Sequence, residues 1–224
     1  MEETWLDEFR ERALQGRCDL AVDIGANCGE WTAWMAEHFK VVVAIEPDPR
    51  AFDVLSSRKL ENVVCINGAV ADVAGTAVLH MRESPLQSCL LKDHPIGIAG
   101  QPDPPIVQEH EVTVITLDQV MEVGRGEIDF VKMDIEGAEA AVLPAASDKR
   151  WLDARWLIEC HNTRGPIGEF LGRVGFENIR IQRHPHPDAH PEHFWVYAAK
   201  DLANDDATDA GDHAGPVGET NAGV

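Results

Sequence analysis

The chain has 224 residues, 44% of them hydrophobic, which is enough for one sizeable core and makes a single domain the expectation. Its 39 Asp and Glu outnumber its 19 Lys and Arg, and the net charge of -20 makes nucleic acid and anionic membranes unfavourable partners. No run of about 18 uncharged apolar residues is present, so the sequence predicts no membrane-spanning helix.

Charge distribution and cysteine use predict a cytoplasmic protein. Only six of the bases are lysines; such a surface is typical of proteins that work in concentrated salt, with an ordinary acidic protein as the alternative. The acidic, amphipathic segment 1–17 predicts a surface helix, not a signal peptide. Five scattered cysteines, an odd number, indicate reduced thiols. Residues 201–224 hold six acids and no bases, which predicts a disordered acidic tail.

Apolar strand-like segments alternate with helical patterns along the chain. The strand-like segments lie at 19–26, 40–47, 63–70, 128–135, 155–161, 178–183 and 194–200. The helical patterns lie at 29–39, 49–60, 139–147 and 166–176. This order predicts an α/β fold with a doubly wound, mostly parallel sheet that is covered on both faces. Only a loop joins the last two strands, so we predict that they form a hairpin and that the final strand runs antiparallel.

Residues 71–126 interrupt this alternation. They hold two strand-like segments, 76–82 and 111–121, and a Pro/Gly-rich stretch between them at 93–105. We predict that this region is an insertion that contributes to the substrate side of the domain.

The first predicted strand ends in VDIGANCG, a turn suited to a ligand. In open parallel sheets, ligands bind at the carboxyl ends of the strands, near the point where strand order reverses. Gly25 and Gly29 allow a ligand to approach the backbone amides closely. Asp23 can receive an ammonium group, and Glu46, at the end of the next strand, suits the two hydroxyls of a ribose. The combination predicts a nucleoside-containing ligand, with an ordinary strand-to-helix loop as the alternative.

The glycine spacing disfavours a dinucleotide. A pyrophosphate requires G-x-G-x-x-G, but here Asn27 stands at the second glycine position and Gly29 comes four residues after Gly25. Asp23 would also repel a phosphate. S-adenosylmethionine, which has a zwitterionic amino-acid end and no phosphate, fits better, and an NAD-dependent Rossmann enzyme is the less favoured alternative.

Six segments occur in the order and spacing of one enzyme family. VDIGANCGEWT, AIEPDP, NVVCINGAV, ITLD, DFVKMDIEGAEAAVL and IECH resemble the FkbM family of S-adenosylmethionine-dependent methyltransferases across residues 18–200, and D-x-E-G-A-E is the most specific of them. The resemblance implies a Rossmann-like class I methyltransferase domain with a seven-stranded sheet. It also implies S-adenosylmethionine as cofactor and methyl transfer, usually to a hydroxyl oxygen.

The resemblance also implies the cofactor contacts, position by position. The methionine end would be lined by Asp23, Gly25, Ala26, Asn27, Gly29 and Asp134. Glu46, with Pro47 beside it, would hold the ribose, and the residues around Ala69 would border the adenine. The segment VLPAAS departs from the family pattern, in which a glycine precedes the alanine, and Pro144 is expected to shorten a helix away from the site.

The segment DFVKMDIEGAE places three charges in an apolar strand. Alternate residues of a strand share a face, so Lys132 and Asp134 point the same way, with Glu136 just past the strand end. The neighbouring strand repeats the pattern with Glu159 and His161. Because burying these groups unpaired is costly, we predict that all five converge on the rim where the methyl donor lies.

Methyl transfer requires an aligned and deprotonated acceptor oxygen. His161 or Asp134 is the candidate base, and Glu136 is the candidate residue for orienting the acceptor hydroxyl. The alternatives are a structural ion pair for Lys132, a helix-terminus role for Glu136 and a packed polar role for His161. Carboxylates and a histidine can also hold a divalent ion, but no ligand spacing demands one, so no metal is assigned.

The acceptor is expected to be a small molecule or a glycan, such as a sugar or a natural product. A non-catalytic S-adenosylmethionine-binding protein is the alternative function. The segment RHPHPDAHPEH has a cluster of histidines, but its prolines favour a solvated loop over a metal site. The sequence holds no indication of oligomeric state.

Overall fold

The computed structural model of the chain describes residues 4–92, 104–184 and 189–200. The strands are β1 (Leu20–Ile24), β2 (Val41–Glu46), β3 (Val63–Asn67), β4 (Ala69–Val70), β5 (Gly75–Arg82), β6 (Ile106–Ile115), β7 (Phe130–Met133), β8 (Arg155–His161), β9 (Asn178–Arg183) and β10 (His193–Ala199). The helices are α1 (Thr4–Ala13), α2 (Glu30–His38), α3 (Pro49–Ser57), α4 (Leu117–Gly124), α5 (Glu139–Ala145), α6 (Lys149–Leu152) and α7 (Arg164–Val174).

Seven strands form the main sheet, in the order β3-β2-β1-β7-β8-β10-β9. The first five of these run parallel to one another, whereas β10 is antiparallel to both of its neighbours. This arrangement confirms the predicted doubly wound sheet and its antiparallel last strand. The chain order reverses between β1 and β7, so the carboxyl ends of these two strands meet at the point where such folds bind ligands.

The two faces of the sheet are buried in separate cores. Alternate side chains of a strand point to opposite faces: Val22 packs against residues of α4 to α7, whereas Ala21 packs with residues of α1 and α2. On β7, the face of Ala21 is also the face of Phe130, Lys132 and Asp134. The charged residues of β7 therefore lie on the side covered by α2.

A second, three-stranded sheet has the order β4-β6-β5 and forms the insertion. The predicted strand 63–70 is divided at Gly68, because the chain leaves the main sheet there and β4 pairs with β6. A Cβ at Gly68 would lie 3.1 Å from the carbonyl oxygen of Thr113, which shows how closely the two segments approach. Helix α4 is not part of this insertion, since Leu117 and Val120 belong to the core of the main sheet.

The structure describes the cysteines and the helices that the sequence expectations concern, but not the predicted tail. All five cysteines are free thiols. Among the described residues, no helix has the length and apolar character needed to cross a membrane. The predicted disordered tail, residues 201–224, lies outside the described residues, as does part of the histidine-rich segment at 185–188.

Candidate active site

A pocket opens at the carboxyl ends of β1, β2 and β7. Strand ends of the main sheet contribute Ile24 and Glu46, and the insertion contributes Leu79, Cys89 and Leu90. Its place at the strand-order reversal makes this pocket the candidate ligand site.

Gly25 is required by the packing of the β1 turn against the end of β7. Its φ of 76° is left-handed, and a Cβ would lie 1.8 Å from the carbonyl oxygen of Asp134. Gly29, with a φ of 81°, caps α2, and a Cβ there would lie 2.6 Å from Leu55. Between them, Asn27 is also left-handed, and its side chain accepts a hydrogen bond from the Cys28 amide. Contacts within the protein therefore determine the conformation of this turn.

Glu46 is held rigidly at the edge of the pocket. One carboxylate oxygen accepts a hydrogen bond from the Asn27 amide and the other from the Asp48 amide, both at 2.7 Å. A carboxylate offers about four acceptor positions, so each oxygen keeps a lone pair for a hydroxyl of a ligand. The side chain is only 5% exposed, and its burial raises the pKa of Glu46 to about 7.

This pKa has a consequence for stability. The ordinary value is 4.5, so the folded state retains a proton that the unfolded chain has released, and stability from this group is lost as pH rises from 4.5 towards 7. Between pH 5 and 8, we expect this group to lower the free energy of unfolding of the wild type by about 2.5 kcal/mol. The Glu46→Gln variant should lack this decrease. Urea unfolding at a series of pH values measures this difference. The exposed Glu177→Gln is the control, and parallel profiles for the wild type and Glu46→Gln would contradict the assignment.

Asp23 lies deeper than the sequence suggested. It is fully buried, and one of its oxygens accepts a 2.6 Å hydrogen bond from the Thr32 hydroxyl. The ammonium group beside it is that of Lys132, whose Nζ lies 3.5 Å from the other oxygen. The structure thus gives Asp23 a partner within the protein, and the residue does not line the pocket.

Lys132 joins the turn of β1 to the charged end of β7. Its ammonium donates a 2.7 Å hydrogen bond to the carbonyl of Gly25 and lies 3.3 Å from Asp134. Burial opposes its charge, but the carboxylates of Asp134 and Asp23 more than offset this and raise the pKa of Lys132. Burial raises the pKa of Asp23, although the Lys132 ammonium and the Thr32 hydroxyl oppose this shift.

The structure brings the carboxylates of three residues to one histidine. The Nε2 atom of His161 lies 3.6 Å from Glu136, 3.8 Å from Asp134 and 3.9 Å from Glu159. Glu136 has a left-handed φ of 51°, and Asn162, which follows β8, has one of 59°. Non-glycine residues in this conformation cluster at functional sites, where the surrounding structure holds them in place.

Glu139 orients this histidine, and the sequence reasoning did not identify it. Its carboxylate is fully buried and accepts a 3.1 Å hydrogen bond from Nδ1 of His161 and another from the hydroxyl of Thr163. The amides of Ile135 and Gly137 donate to the same carboxylate at 3.3 Å. The last acid of the D-x-E-G-A-E motif was the available indication, but an acid at a helix start usually signals only a cap.

The protonation states of this group depend on one another. Burial raises the pKa of Glu136 to about 7, and burial together with the charge of Asp134 raises the pKa of Glu159 well above its ordinary value. Burial alone would lower the pKa of His161, but Glu136, Glu139 and Glu159 raise it well above the ordinary range. Burial also opposes the charge of Asp134, yet Lys132 and His161 hold its pKa low. Perturbed pKa values of this kind at a strand-end cleft indicate a functional site.

The predicted site residues therefore fall into two groups. Those that line the pocket are Gly25, Asn27, Glu46, Pro47, Ala69, Asp134 and Glu136. Those outside its lining are Asp23, Ala26, Gly29, Lys132 and His161. Lys132 and His161 nevertheless contact Asp134, which belongs to the lining. Cys89 and Leu90 are pocket residues that the sequence did not indicate, because the insertion has no readable motif.

A family model and a curated protein both match this chain, and both are described as FkbM methyltransferases. A family model described as the methyltransferase FkbM domain matches residues 23–190. The 31-O-demethyl-FK506 methyltransferase FkbM of Streptomyces tacrolimicus is 29% identical over 182 residues, covering 68% of this chain and 69% of that protein.

Solved structures share the fold at low sequence identity. Methyltransferase FkbM from Methylobacillus flagellatus has a TM-score of 0.55 at 17% identity, over 80% of this chain and 43% of that one, so the present chain spans less than half of its length. An rRNA methylase from Streptococcus thermophilus gives 0.53 at 14%, over 89% and 98% of the two chains. SMU.1697c, a putative methyltransferase from Streptococcus mutans in complex with SAH, gives 0.53 at 11%, over 88% and 99%. These likenesses confirm the class I methyltransferase arrangement of the sheet.

Proposed function

The chain belongs to the FkbM methyltransferase domain family, whose model matches residues 23–190, and from this premise we propose that it transfers a methyl group from S-adenosylmethionine to a hydroxyl oxygen of a sugar or natural product. The observation that carries the proposal is the meeting of Asp134, Glu136 and His161 beside the pocket. A reaction that must remove a hydroxyl proton needs such groups.

The residues that line the pocket support binding of both the nucleoside and the sulfonium part of S-adenosylmethionine. The carboxylate of Glu46 has lone pairs for the two ribose hydroxyls, and Ala69 and Val70 offer apolar surface for the adenine. Asp134 and Glu136 line the other part of the pocket, where carboxylates favour a cationic group. The bound cofactor supplies an electrophilic methyl group on a positively charged sulfur.

The chain's own residues supply proton removal and alignment. Glu139 accepts a hydrogen bond from Nδ1 of His161, which directs Nε2 towards the rim as the atom that takes the acceptor proton. Asp134 is the second candidate for this role, and Glu136 is placed to accept a hydrogen bond from the acceptor hydroxyl. Lys132 holds Asp134 in position.

The acceptor class follows from charge and from the Streptomyces relative. That relative is named for methylation of an oxygen on 31-O-demethyl-FK506, which supports a hydroxyl acceptor. The carboxylates of Asp134, Glu136 and Glu159 disfavour an acceptor that carries phosphate near its reacting hydroxyl. The net charge of -20 likewise weighs against nucleic acid.

Calorimetric titration tests the cofactor assignment. We expect binding of S-adenosylmethionine and S-adenosylhomocysteine but not of NAD. Glu46→Ala should weaken binding by about 1.5–3 kcal/mol, because it removes hydrogen bonds between the ribose and a charged group. Glu177→Ala, an exposed change elsewhere, should leave affinity as it is.

Three outcomes would overturn parts of the proposal. Undiminished affinity in Glu46→Ala would remove the ribose assignment. Cofactor binding without methyl transfer to any member of a panel of sugars and polyketides would favour a non-catalytic binding protein. A bound NAD would place the chain in a different enzyme class.

A further inference from the structure

Three side chains at the rim present ligand atoms around one point. One ligand atom each from Asp134, Glu136 and His161 lies within 4.8 Å of the other two. From Nε2 of His161, the distances are 3.8 Å to Asp134 and 3.6 Å to Glu136. Two ligands at about 2.1 Å from one ion are about 3.0 Å apart at a right angle and about 4.2 Å apart across the ion. The measured distances between Nε2 and the carboxylates are therefore those of atoms that share an ion.

The imidazole is oriented from behind by a buried carboxylate that is not part of this group. Histidines that bind metals almost always donate their second ring N–H to a carboxylate, a carbonyl or water, which fixes the tautomer. Glu139 has this position at Nδ1 of His161, 3.1 Å away and fully buried. The hydroxyl of Thr163 and two backbone amides hold the carboxylate of Glu139 in turn. Nε2 is thus the nitrogen that carries the lone pair of the neutral ring.

Acidic side chains outnumber basic ones around this point. Three carboxylates, those of Asp134, Glu136 and Glu159, lie within 3.9 Å of Nε2. The nearby ammonium of Lys132 is already shared between Asp134 and Asp23. Converging carboxylates that are half-buried or buried are costly unless a cation compensates them, and a divalent ion does so while also satisfying the lone pair of an imidazole.

We propose that Asp134, Glu136 and His161 bind a divalent cation through two carboxylate oxygens and Nε2, with Glu139 as the positioning residue behind the imidazole. One imidazole with two carboxylates suits Mn²⁺, Fe²⁺ or Zn²⁺ better than Ca²⁺, which prefers a shell of oxygens. Asp134 and Glu136 both line the pocket, so remaining coordination positions face the space for the substrates. The inference rests on the proposed function only for the effect of the ion, which would lower the pKa of the acceptor hydroxyl. With the ion bound, Nε2 is a ligand and takes no proton, so His161 then acts through the ion and the acceptor proton passes to solvent.

Manganese binding provides a test that needs neither acceptor nor cofactor. The full chain is first treated with a chelator and exchanged into about 0.5 M KCl, which screens the acidic surface. It is then titrated with Mn²⁺ while the free ion is followed by electron paramagnetic resonance. We expect one tight site per chain. His161→Ala and Glu136→Gln should each weaken it at least about tenfold, and Glu139→Gln, which keeps all three ligands, by about 10–100-fold.

The control is His38→Ala, which removes an exposed histidine on α2 and should leave Mn²⁺ affinity unchanged. Should His161→Ala fail to fold, as judged by circular dichroism, Glu136→Gln decides the matter because Glu136 lies at the pocket surface. Absence of a stoichiometric Mn²⁺ or Zn²⁺ site, or equal affinity in the wild type and Glu136→Gln, would overturn the inference. Intact S-adenosylmethionine binding in the same sample would then leave the proposed function standing.

Discussion

His161→Ala should lower methyl transfer by roughly 10²–10⁴-fold while cofactor affinity stays as in the wild type. The reason is that Nε2 of His161 lies among Asp134, Glu136 and Glu159, where the proposal puts the acceptor, whereas the ribose is proposed to bind to a different residue of the site, Glu46. Turnover measured with a panel of sugars, or by slow donor hydrolysis, is compared with calorimetric affinity. Normal turnover in this variant would move the base to Glu159 or Lys132.

The neighbouring carboxylates should respond differently. Asp134→Asn keeps the shape of the side chain but removes its charge, so it should lose turnover and some cofactor affinity. Glu136→Gln should act mainly on the acceptor. If these residues served only as structural ion pairs, the variants would instead show a lower melting temperature and nearly normal turnover per folded molecule.

The pH dependence of turnover gives a further readout for His161. In enzyme treated with a chelator, so that no ion occupies Nε2, the imidazole accepts a proton only in its neutral form, and the surrounding carboxylates raise its pKa well above the ordinary value. Turnover should therefore fall as pH is lowered through that raised pKa and should be highest on the alkaline side. The residual turnover of His161→Ala should lack this limb of the profile.

Gly25→Ala should destabilise the fold by at least about 3 kcal/mol. The added Cβ would lie 1.8 Å from the carbonyl oxygen of Asp134, and an alanine at a φ of 76° carries a further cost of about 1–2 kcal/mol. Because the contact is with backbone, a side-chain rotation cannot relieve it, so the ends of β1 and β7 must separate. Chemical denaturation measures the loss, and cofactor affinity should fall with it.

Gly172→Ala is the matched control for this change. Gly172 lies on the exposed side of α7, and nothing lies within 4 Å of an added Cβ. Alanine is a better helix former than glycine, so this variant should gain roughly 0.5–1 kcal/mol. Gly25→Ala with the stability of the wild type would show that β1 and β7 can separate at little cost.

The sequence predicted the fold well because its information is local. Apolar strands such as Val41–Glu46 and Arg155–His161 stand out by composition, and helices follow them at regular spacing. The division of the predicted strand at Gly68 was not predictable, since it depends on the distant Thr113. The family resemblance implied seven strands, but the strand order was not predicted, because periodicity does not report which strands are neighbours.

The candidate site was predictable where its residues sit at strand ends. Asp134 and His161 follow the alternation of β7 and β8, so their proximity could be inferred from two parallel neighbours. Burial was harder to foresee. Asp23 reads as a residue at the lip of the pocket, but Thr32 on α2 and Lys132 on β7 enclose it. The role of Glu139 depends on the turn at Glu136 and was equally invisible from spacing.

The small sheet has a consequence for how this protein and its relatives diverge. It supplies Leu79 and Cys89 to one side of the pocket, while Asp134 and Glu136 come from the main sheet. It is attached near Asp48, which accepts a 2.8 Å hydrogen bond from Ser88. Under the proposed function, mutations in the insertion can therefore alter which molecule is accepted without touching the residues proposed to act on it. Evolution, or a protein engineer exchanging this one segment, can vary the acceptor and keep the reaction.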